Sequence, residues 1–341
     1  MPPKPRLSWE KLVLKLHNPF RVSYGASETR DAFWLRLAED AGWGEGTIPP
    51  YYGVADDDIV SFWQQASHRR DPFPEAPAAI AAWVGQHGPA PARAGLDLAL
   101  HDRLGRLHGE PLYKLLDLPE PQVLPTSFTI GIDAPEAMAK MASEIPDYPV
   151  IKIKLGSDEQ DVARVAAIRA ARPDVRLRVD ANAAWSAEEA VAKVHALLPY
   201  DLELVEQPVA RNDIEGMGFV QAHCHVPVIA DESVQTLADV EALAAAGVQG
   251  VNLKLMKLGG LAPTMRVVRR ARALGLRIML GCMVETSLGT TAMAHLAGVA
   301  EWLDLDAPLL VANDPFSGVH YDARAGVHLP TAPGIGVKRI E

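Results

Sequence analysis

Apolar residues return with a two-residue period in Leu12-Val13-Leu14-Lys15-Leu16 and again in Phe33-Trp34-Leu35-Arg36-Leu37. That period predicts strands with one buried face, and Asp40-Ala41-Gly42 before Trp43 supplies a turn signal. Residues 1 to about 45 are therefore expected to form a short antiparallel sheet. From residue 56 to about 118 the apolar spacing lengthens to three and four, in AAIAAWV and ARAGLDLALHDRLGRL, as on a helix face. The first third of the chain reads as α+β.

From about residue 121 short apolar strands alternate with amphipathic helices, which marks βα units and a parallel sheet. The candidate strands cover 126–130, 150–154, 176–180, 202–206, 228–231, 250–254, 277–280 and a last one near 302–305. Eight such strands predict a closed α/β barrel. In barrels of this kind active sites lie at the C-terminal strand ends, so polar residues there carry a functional reading first.

Composition narrows the function classes. With 341 residues, 48% hydrophobic and 22% charged, the chain is that of a folded enzyme-sized protein. A formal charge of −10 opposes binding to nucleic acid, where Lys and Arg must neutralise phosphates. Cys224 and Cys282 give no disulfide framework, and a cytoplasmic location is expected. The segment MPPKPRLSWEKLVLKL has no apolar run of signal-peptide length, so secretion is not expected. No run approaches the roughly 18 apolar residues of a membrane span, so no membrane partner is expected. GxSxG, HExxH and GxxxxGK[ST] are all absent. His223-Cys224-His225 lacks a second ligand pair for zinc, and Gly42-Trp43-Gly44-Glu45-Gly46 reads as a turn between strands.

The predicted strands end in charge: IKIK at 151–154, RVDAN at 178–182, LVEQP at 204–208, IADES at 229–233 and VNLKLMK at 251–257. Residues two apart on a strand share a face, so Lys152 and Lys154 both point into the barrel mouth. Asp180, Glu206 and Asp231 follow on the next three strands, one βα unit apart, and stand side by side. Converging buried carboxylates are costly unless a hard cation lies between them, and oxygen-only ligation favours Mg²⁺ over zinc. Lys254 ends the next strand on the far side from Lys154. A Lewis acid flanked by two lysines suits removal of a proton beside a carboxylate on one face and its return on the other.

The run KIK, VDAN, VEQP, ADES, NLKLMKLGG resembles the muconate lactonizing enzyme subgroup of the enolase superfamily over nearly the whole chain. Lysine bases with Mg²⁺ are a general pattern of that superfamily. The resemblance implies Asp180, Glu206 and Asp231 as Mg²⁺ ligands, Lys154 and Lys254 as acid/base catalysts, and Lys152 as an aid to substrate binding. It implies a (β/α)7β barrel at 121–319 beneath an α+β capping domain formed by residues 1–120 and completed by about 320–341. A homo-oligomer is implied as well.

Within that subgroup the barrel motifs are shared by several reactions. Trp302-Leu303-Asp304-Leu305-Asp306 distinguishes them, because two carboxylates on one face suit a free ammonium group. The pair resembles the motif with which dipeptide epimerases hold the substrate amine, so a Mg²⁺-dependent epimerase of L-Ala-L-X dipeptides is expected. An N-acylamino acid racemase or o-succinylbenzoate synthase, and a non-catalytic binding barrel, are the alternatives. A second possibility for the two aspartates is that they cap a following turn or helix. Thr129 on the first barrel strand, with Tyr24 and Gly25 in the capping loop Pro19–Ser27, completes the expected substrate contacts. Gly25 stands where Ala-Glu epimerases carry an arginine, and this small residue leads to the expectation of a hydrophobic X. Arg21 and Arg30 are the nearby residues that could replace that arginine.

Overall fold

The computed structural model describes residues 6–23 and 25–340. A long antiparallel hairpin, β1 (Leu7–Val22) and β2 (Gly25–Leu37), is extended by β3 (Trp43–Gly46). Helices α1 (Asp56–Ser67), α2 (Pro77–Val84), α3 (Ala90–His108) and α4 (Leu112–Leu115) follow. Asp56, Asp57 and Asp58 fill the first turn of α1, where acidic side chains complement the helix dipole. Leu35, Leu37, Trp63, Ile80, Leu96 and Leu100 form the core between sheet and helices. Glycines in and just before β3 serve packing: a Cβ on Gly42 would run into the carbonyl of Ala99, and one on Gly44 into that of Gly95, so the strand lies directly on α3.

The remaining chain alternates as the period change predicts: β4 (Phe128–Ile130), α5 (Pro135–Ser143), β5 (Val150–Lys154), α6 (Asp161–Ala171), β6 (Arg176–Asp180), α7 (Ala187–Leu197) and β7 (Leu202–Glu206). There follow α8 (Ile214–His223), β8 (Val228–Ala230), α9 (Leu237–Ala245), β9 (Gly250–Leu253), α10 (Leu255–Leu258), α11 (Leu261–Ala273), β10 (Arg277–Gly281), α12 (Ser287–Ala294), β11 (Trp302–Asp304) and α13 (Ala307–Leu310). The eight strands β4 to β11 pair in sequence order and in parallel, and a parallel bridge from Thr126 to Leu303 joins the first to the last. This is the (β/α)7β barrel expected. Among the described residues no helix is long and apolar enough to cross a membrane.

The chain end returns to the first helices. Gly334 accepts from the Leu112 amide at 3.1 Å, and Asp102 on α3 accepts from the Ile335 amide at 2.8 Å. Glu45 on β3 links the hairpin unit to the barrel, accepting from the Thr286 and Gly289 amides at 2.9 and 3.0 Å at the start of α12.

Two local expectations need correction. The segment expected as a loop at 19–27 is instead mostly strand among the described residues, because β1 runs to Val22 and β2 resumes at Gly25. The pairing register shifts between Lys15 and Phe20, which lets the tip bend over the barrel. There Ile132 donates to the Arg21 carbonyl at 2.9 Å and Ser23 to that of Asn182 at 2.9 Å. The strands expected to reach Asp231 and Lys254 stop one residue short, so both side chains stand on the first residue beyond the sheet.

Candidate active site

Strand alternation delivers the lining. Leu204, Ile229, Met279 and Trp302 cluster inside the barrel, and the residues two positions onward, Glu206, Asp231, Gly281 and Asp304, reach the mouth. Gly281 has a definite task there: a Cβ would meet Asn252 Oδ1 at 2.5 Å and Lys254 Cε at 3.0 Å, so glycine keeps the path of Lys254 open. After the charged strand ends the chain turns sharply, with Asn182, Ala183 and Gln207 at φ of 44°, 62° and 35°. Non-glycine residues held in that region concentrate at functional sites.

The sequence-predicted carboxylates converge. Oxygens of Asp180, Glu206 and Asp231 lie within 4.8 Å of one another, all buried. Asn252 donates to Glu206 Oε1 at 2.9 Å, while Glu206 Oε2 is buried without a hydrogen-bond partner, although Lys152 Nζ lies 2.8 Å away. An oxygen-only donor set of three converging carboxylates, with Glu206 Oε2 met by an ammonium alone, fits a hard divalent cation. Burial and the neighbouring Asp180 raise the Glu206 carboxyl to about 8. Burial pushes Asp180 in the same direction, but Lys154 and Lys152 outweigh it and hold that carboxyl at about 2. Asp231 is likewise buried, yet Lys254 and Lys257 keep it well below the usual carboxylate range.

The two expected bases flank this cluster. Lys154 Nζ is 2.7 Å from Asp180 Oδ2 and 5.9 Å from the centre of the Phe20 ring. Lys254 Nζ is 2.8 Å from Asp231 Oδ2. Burial disfavours charge on Lys254, but Asp231 more than offsets it and holds the ammonium well above the usual lysine range.

Lys152 and the terminal aspartates form one network. Lys152 Nζ contacts Asp304 Oδ2 and Glu206 Oε2 at 2.8 Å each and Asp180 Oδ2 at 3.0 Å. Ser127 donates to the other oxygen of Asp304 at 2.5 Å. Asp306 accepts from the Thr129 amide at 2.7 Å, and burial with the nearby Asp304 raises its carboxyl to about 6. Asp306 stands at the start of α13, but its side chain makes no cap to that helix, so the capping alternative fails.

A cavity of about 500 Å³ brings these groups together. Lys152, Lys154, Lys254, Asp304, Asp306 and Thr129 line it from the barrel, and Phe20, Gly25, Arg30 and Tyr51 from the hairpin side. Tyr24, expected among the substrate contacts, lies outside the described residues. The His223-Cys224-His225 run stays away from this lining, with His223 bonded to the Phe219 carbonyl and Cys224 buried in the hydrophobic core.

Sequence reasoning passed over the supporting residues, though they sit inside the same motifs. Lys257 contacts Asp231 Oδ1 at 2.5 Å and also donates to the Asp231 carbonyl. Gln207 accepts from the Asp231 and Ser233 amides at 2.8 and 3.1 Å. Asn182 donates to Glu232 at 3.0 Å, and its amide donates to Asp180 at 2.9 Å. The signal was the polar letters between the charges, the Asn of VDAN, the Gln of VEQP and the Asn and second Lys of NLKLMK.

Residues 134–340 match the family model described as enolase C-terminal domain-like. The L-Ala-D/L-amino acid epimerase of Maribacter sp. (strain HTCC2170) is 35% identical over 97% of this chain and 98% of its own. Among solved structures, the dipeptide epimerase of Enterococcus faecalis V583, complexed with Mg and L-Leu-L-Tyr, superposes with a TM-score of 0.91 at 33% identity, covering 98% of this chain and 99% of that one. A substrate-liganded complex of the L-Ala-D/L-Glu epimerase from Bacillus subtilis gives 0.90 at 31% identity, covering 98% of each. The chain belongs to the enolase superfamily, within the family of dipeptide epimerases.

Proposed function

We propose that this protein is a Mg²⁺-dependent isomerase that epimerises dipeptides of the L-Ala-L-X type at the α-carbon of the C-terminal residue. The observation that carries the proposal is the placement of Lys154 and Lys254 on opposite flanks of the three carboxylates, one paired to Asp180 and the other to Asp231. In this reading residues 1–120 with 320–341 form the cap, and 121–319 the catalytic barrel.

Mg²⁺ held by Asp180, Glu206 and Asp231 would supply Lewis-acid stabilisation for charge developing on the substrate carboxylate. One lysine removes the α-proton from its face as a neutral amine, and the other, as an ammonium, returns a proton from the opposite face. Inversion follows from that geometry, whereas a single base would return the proton to the face it came from. Asp306 anchors the substrate amine through its oxygen not committed to Thr129, with Asp304 beside it held by Lys152 and Ser127. Phe20, packed near Lys154, helps exclude water from that side of the reacting carbon.

Incubation with L-Ala-L-X dipeptides and Mg²⁺, followed by separation of diastereomers, tests the reading. Conversion of free dipeptides to their L-D forms, abolished by chelator and restored by Mg²⁺, is the expected result. Turnover of N-acylated or N-succinylated amino acids in preference to dipeptides would move the protein to the racemase reading.

A further inference from the structure

The two opposed lysines stand on different kinds of backbone. Lys154 is the last residue of β5 and lies in register with Asp180 on β6, so the sheet itself holds its main chain. Lys254 stands one residue beyond β9, at the cap of α10, a single turn of four residues. Its carbonyl accepts from the Lys257 and Leu258 amides at 3.1 and 3.2 Å, and the Leu255 carbonyl accepts from those of Gly259 and Gly260 at 2.8 and 3.0 Å. An isolated turn of this length is unstable in water, so the place of Lys254 depends on what holds the turn at its two ends.

Lys257 ties the turn to Asp231 from inside the barrel. The far end is held from outside it, by Asp97 on α3, which is 1% exposed. Asp97 Oδ1 accepts from the amides of Leu261 and Ala262, the first two residues of α11, at 2.6 and 3.3 Å. A carboxylate there meets amides that have no partner within the helix and complements its dipole. Gly259 and Gly260, at φ of 92° and 111°, let the chain turn against α3. A Cβ on Gly260 would meet Asp97 Oδ1 at 2.4 Å, and one on Gly259 would meet Arg93 Nη1 at 2.6 Å. His101, one turn along α3, brings its Nδ1 to 3.2 Å from the same Asp97 oxygen and 2.8 Å from the Asp97 carbonyl. Asp97 does not line the active-site cavity, so it reaches the chemistry only through this turn.

We infer that Asp97 is a positioning residue for Lys254 alone: by clamping the Gly259-Gly260 turn onto α3 it fixes the backbone from which Lys254 reaches the reacting carbon, and it has no such hold on Lys154. The inference rests on the dipeptide epimerase reading. A residue from the helices that precede the barrel thereby supports one of the two proton transfers and leaves the other to the sheet.

The test isolates each lysine. In Lys154→Ala only Lys254 can exchange the substrate α-proton, and in Lys254→Ala only Lys154 can. Deuterium uptake from D₂O into L-Ala-L-Glu, L-Ala-L-Leu and their L-D epimers is measured for the Mg²⁺-loaded protein in both backgrounds, with and without Asp97→Ala. The added change should slow exchange by at least ~10-fold in Lys154→Ala and by less than ~3-fold in Lys254→Ala, since a misplacement of about 1 Å at a reacting group costs up to about 100-fold. Asp97→Asn, which keeps an oxygen for the Leu261 amide, should restore most of the loss. Equal slowing in the two backgrounds overturns the inference, because a merely structural role would weaken both lysines, and so does undiminished exchange in Lys154→Ala. If Asp97→Ala fails to fold, Gly260→Ala, which presses on the same carboxylate, decides by the same ratio. Absence of exchange on every dipeptide in both lysine variants with Asp97 intact overturns the underlying reading as well, whereas unselective slowing overturns this inference alone.

Discussion

Lys152 Nζ meets Asp304 Oδ2 at 2.8 Å while standing the same distance from Glu206 Oε2. A single buried ammonium thereby joins the carboxylates proposed to hold the metal to the aspartate pair proposed to hold the substrate amine. Burial disfavours its charge, but Asp304, Glu206 and Asp180 outweigh that and keep it well above the usual lysine range.

Replacing Lys152 by Met leaves these carboxylates without their shared counter-charge. In chelator the variant should lose about 3–5 kcal/mol of stability, the cost of breaking a buried ion pair. Mg²⁺ should then recover more stability in the variant than in the wild type, because the cation replaces the missing charge. Urea unfolding with EDTA and with Mg²⁺ measures both quantities, and an equal Mg²⁺ increment in the two proteins would contradict the role given to Lys152.

Asp306 has the freer carboxylate of the pair, and its raised value of about 6 gives a pH signature. Ionised Asp306 binds an ammonium, so affinity for a free dipeptide is present above this value and falls as pH drops through it. KM should rise about tenfold per unit below pH 6 in the wild type. In Asp306→Asn it should be raised throughout, by ~10-fold or more, and show no such break. An unchanged KM in this variant would place the substrate amine elsewhere.

Much of this site was legible because strands impose a period of two. Lys152 and Lys154 share a face by that rule alone, and regular βα spacing brings Asp180, Glu206 and Asp231 together. Pairings that depend on three-dimensional packing were not legible. The Lys152 contact to Asp304 forms across the closure of the barrel, between residues 152 positions apart. The closing of the cavity by Phe20 depends on how the hairpin tip folds over the barrel, through the register shift between Lys15 and Phe20, and no local spacing reports that.

Lys154→Ala and Lys254→Ala each remove one of two opposed bases. Either change should reduce epimerisation by at least ~100-fold, within the range for loss of a general acid or base. Residual α-proton exchange should survive on opposite epimers in the two variants, since each keeps one competent face. Mass spectrometry of separated L-L and L-D dipeptides in D₂O reads this out, and survival on the same epimer in both would contradict the opposed arrangement.

Glu45 couples the hairpin unit to α12, and its carboxyl, lifted by burial to about 7, makes the joint pH-dependent. A carboxyl raised in the folded state contributes stability that is full below its unfolded value near 4.5 and is lost as pH rises through 7. The wild type should therefore lose up to about 3 kcal/mol between pH 5 and 8 relative to Glu45→Gln. Parallel urea titrations of the two proteins at both pH values measure the difference, and identical pH profiles would refute it.

The most direct test of the two-lysine mechanism follows L-Ala-L-Glu by proton NMR in D₂O with Mg²⁺ during the first few per cent of conversion. Removal on one face and return on the other predicts that the L-Ala-D-Glu formed carries deuterium at the α-carbon while remaining L-Ala-L-Glu largely keeps its proton. Deuterium entering L-Ala-L-Glu with no L-Ala-D-Glu formed would mean that one base works alone, and the assignment of Lys154 and Lys254 to opposite faces would be wrong.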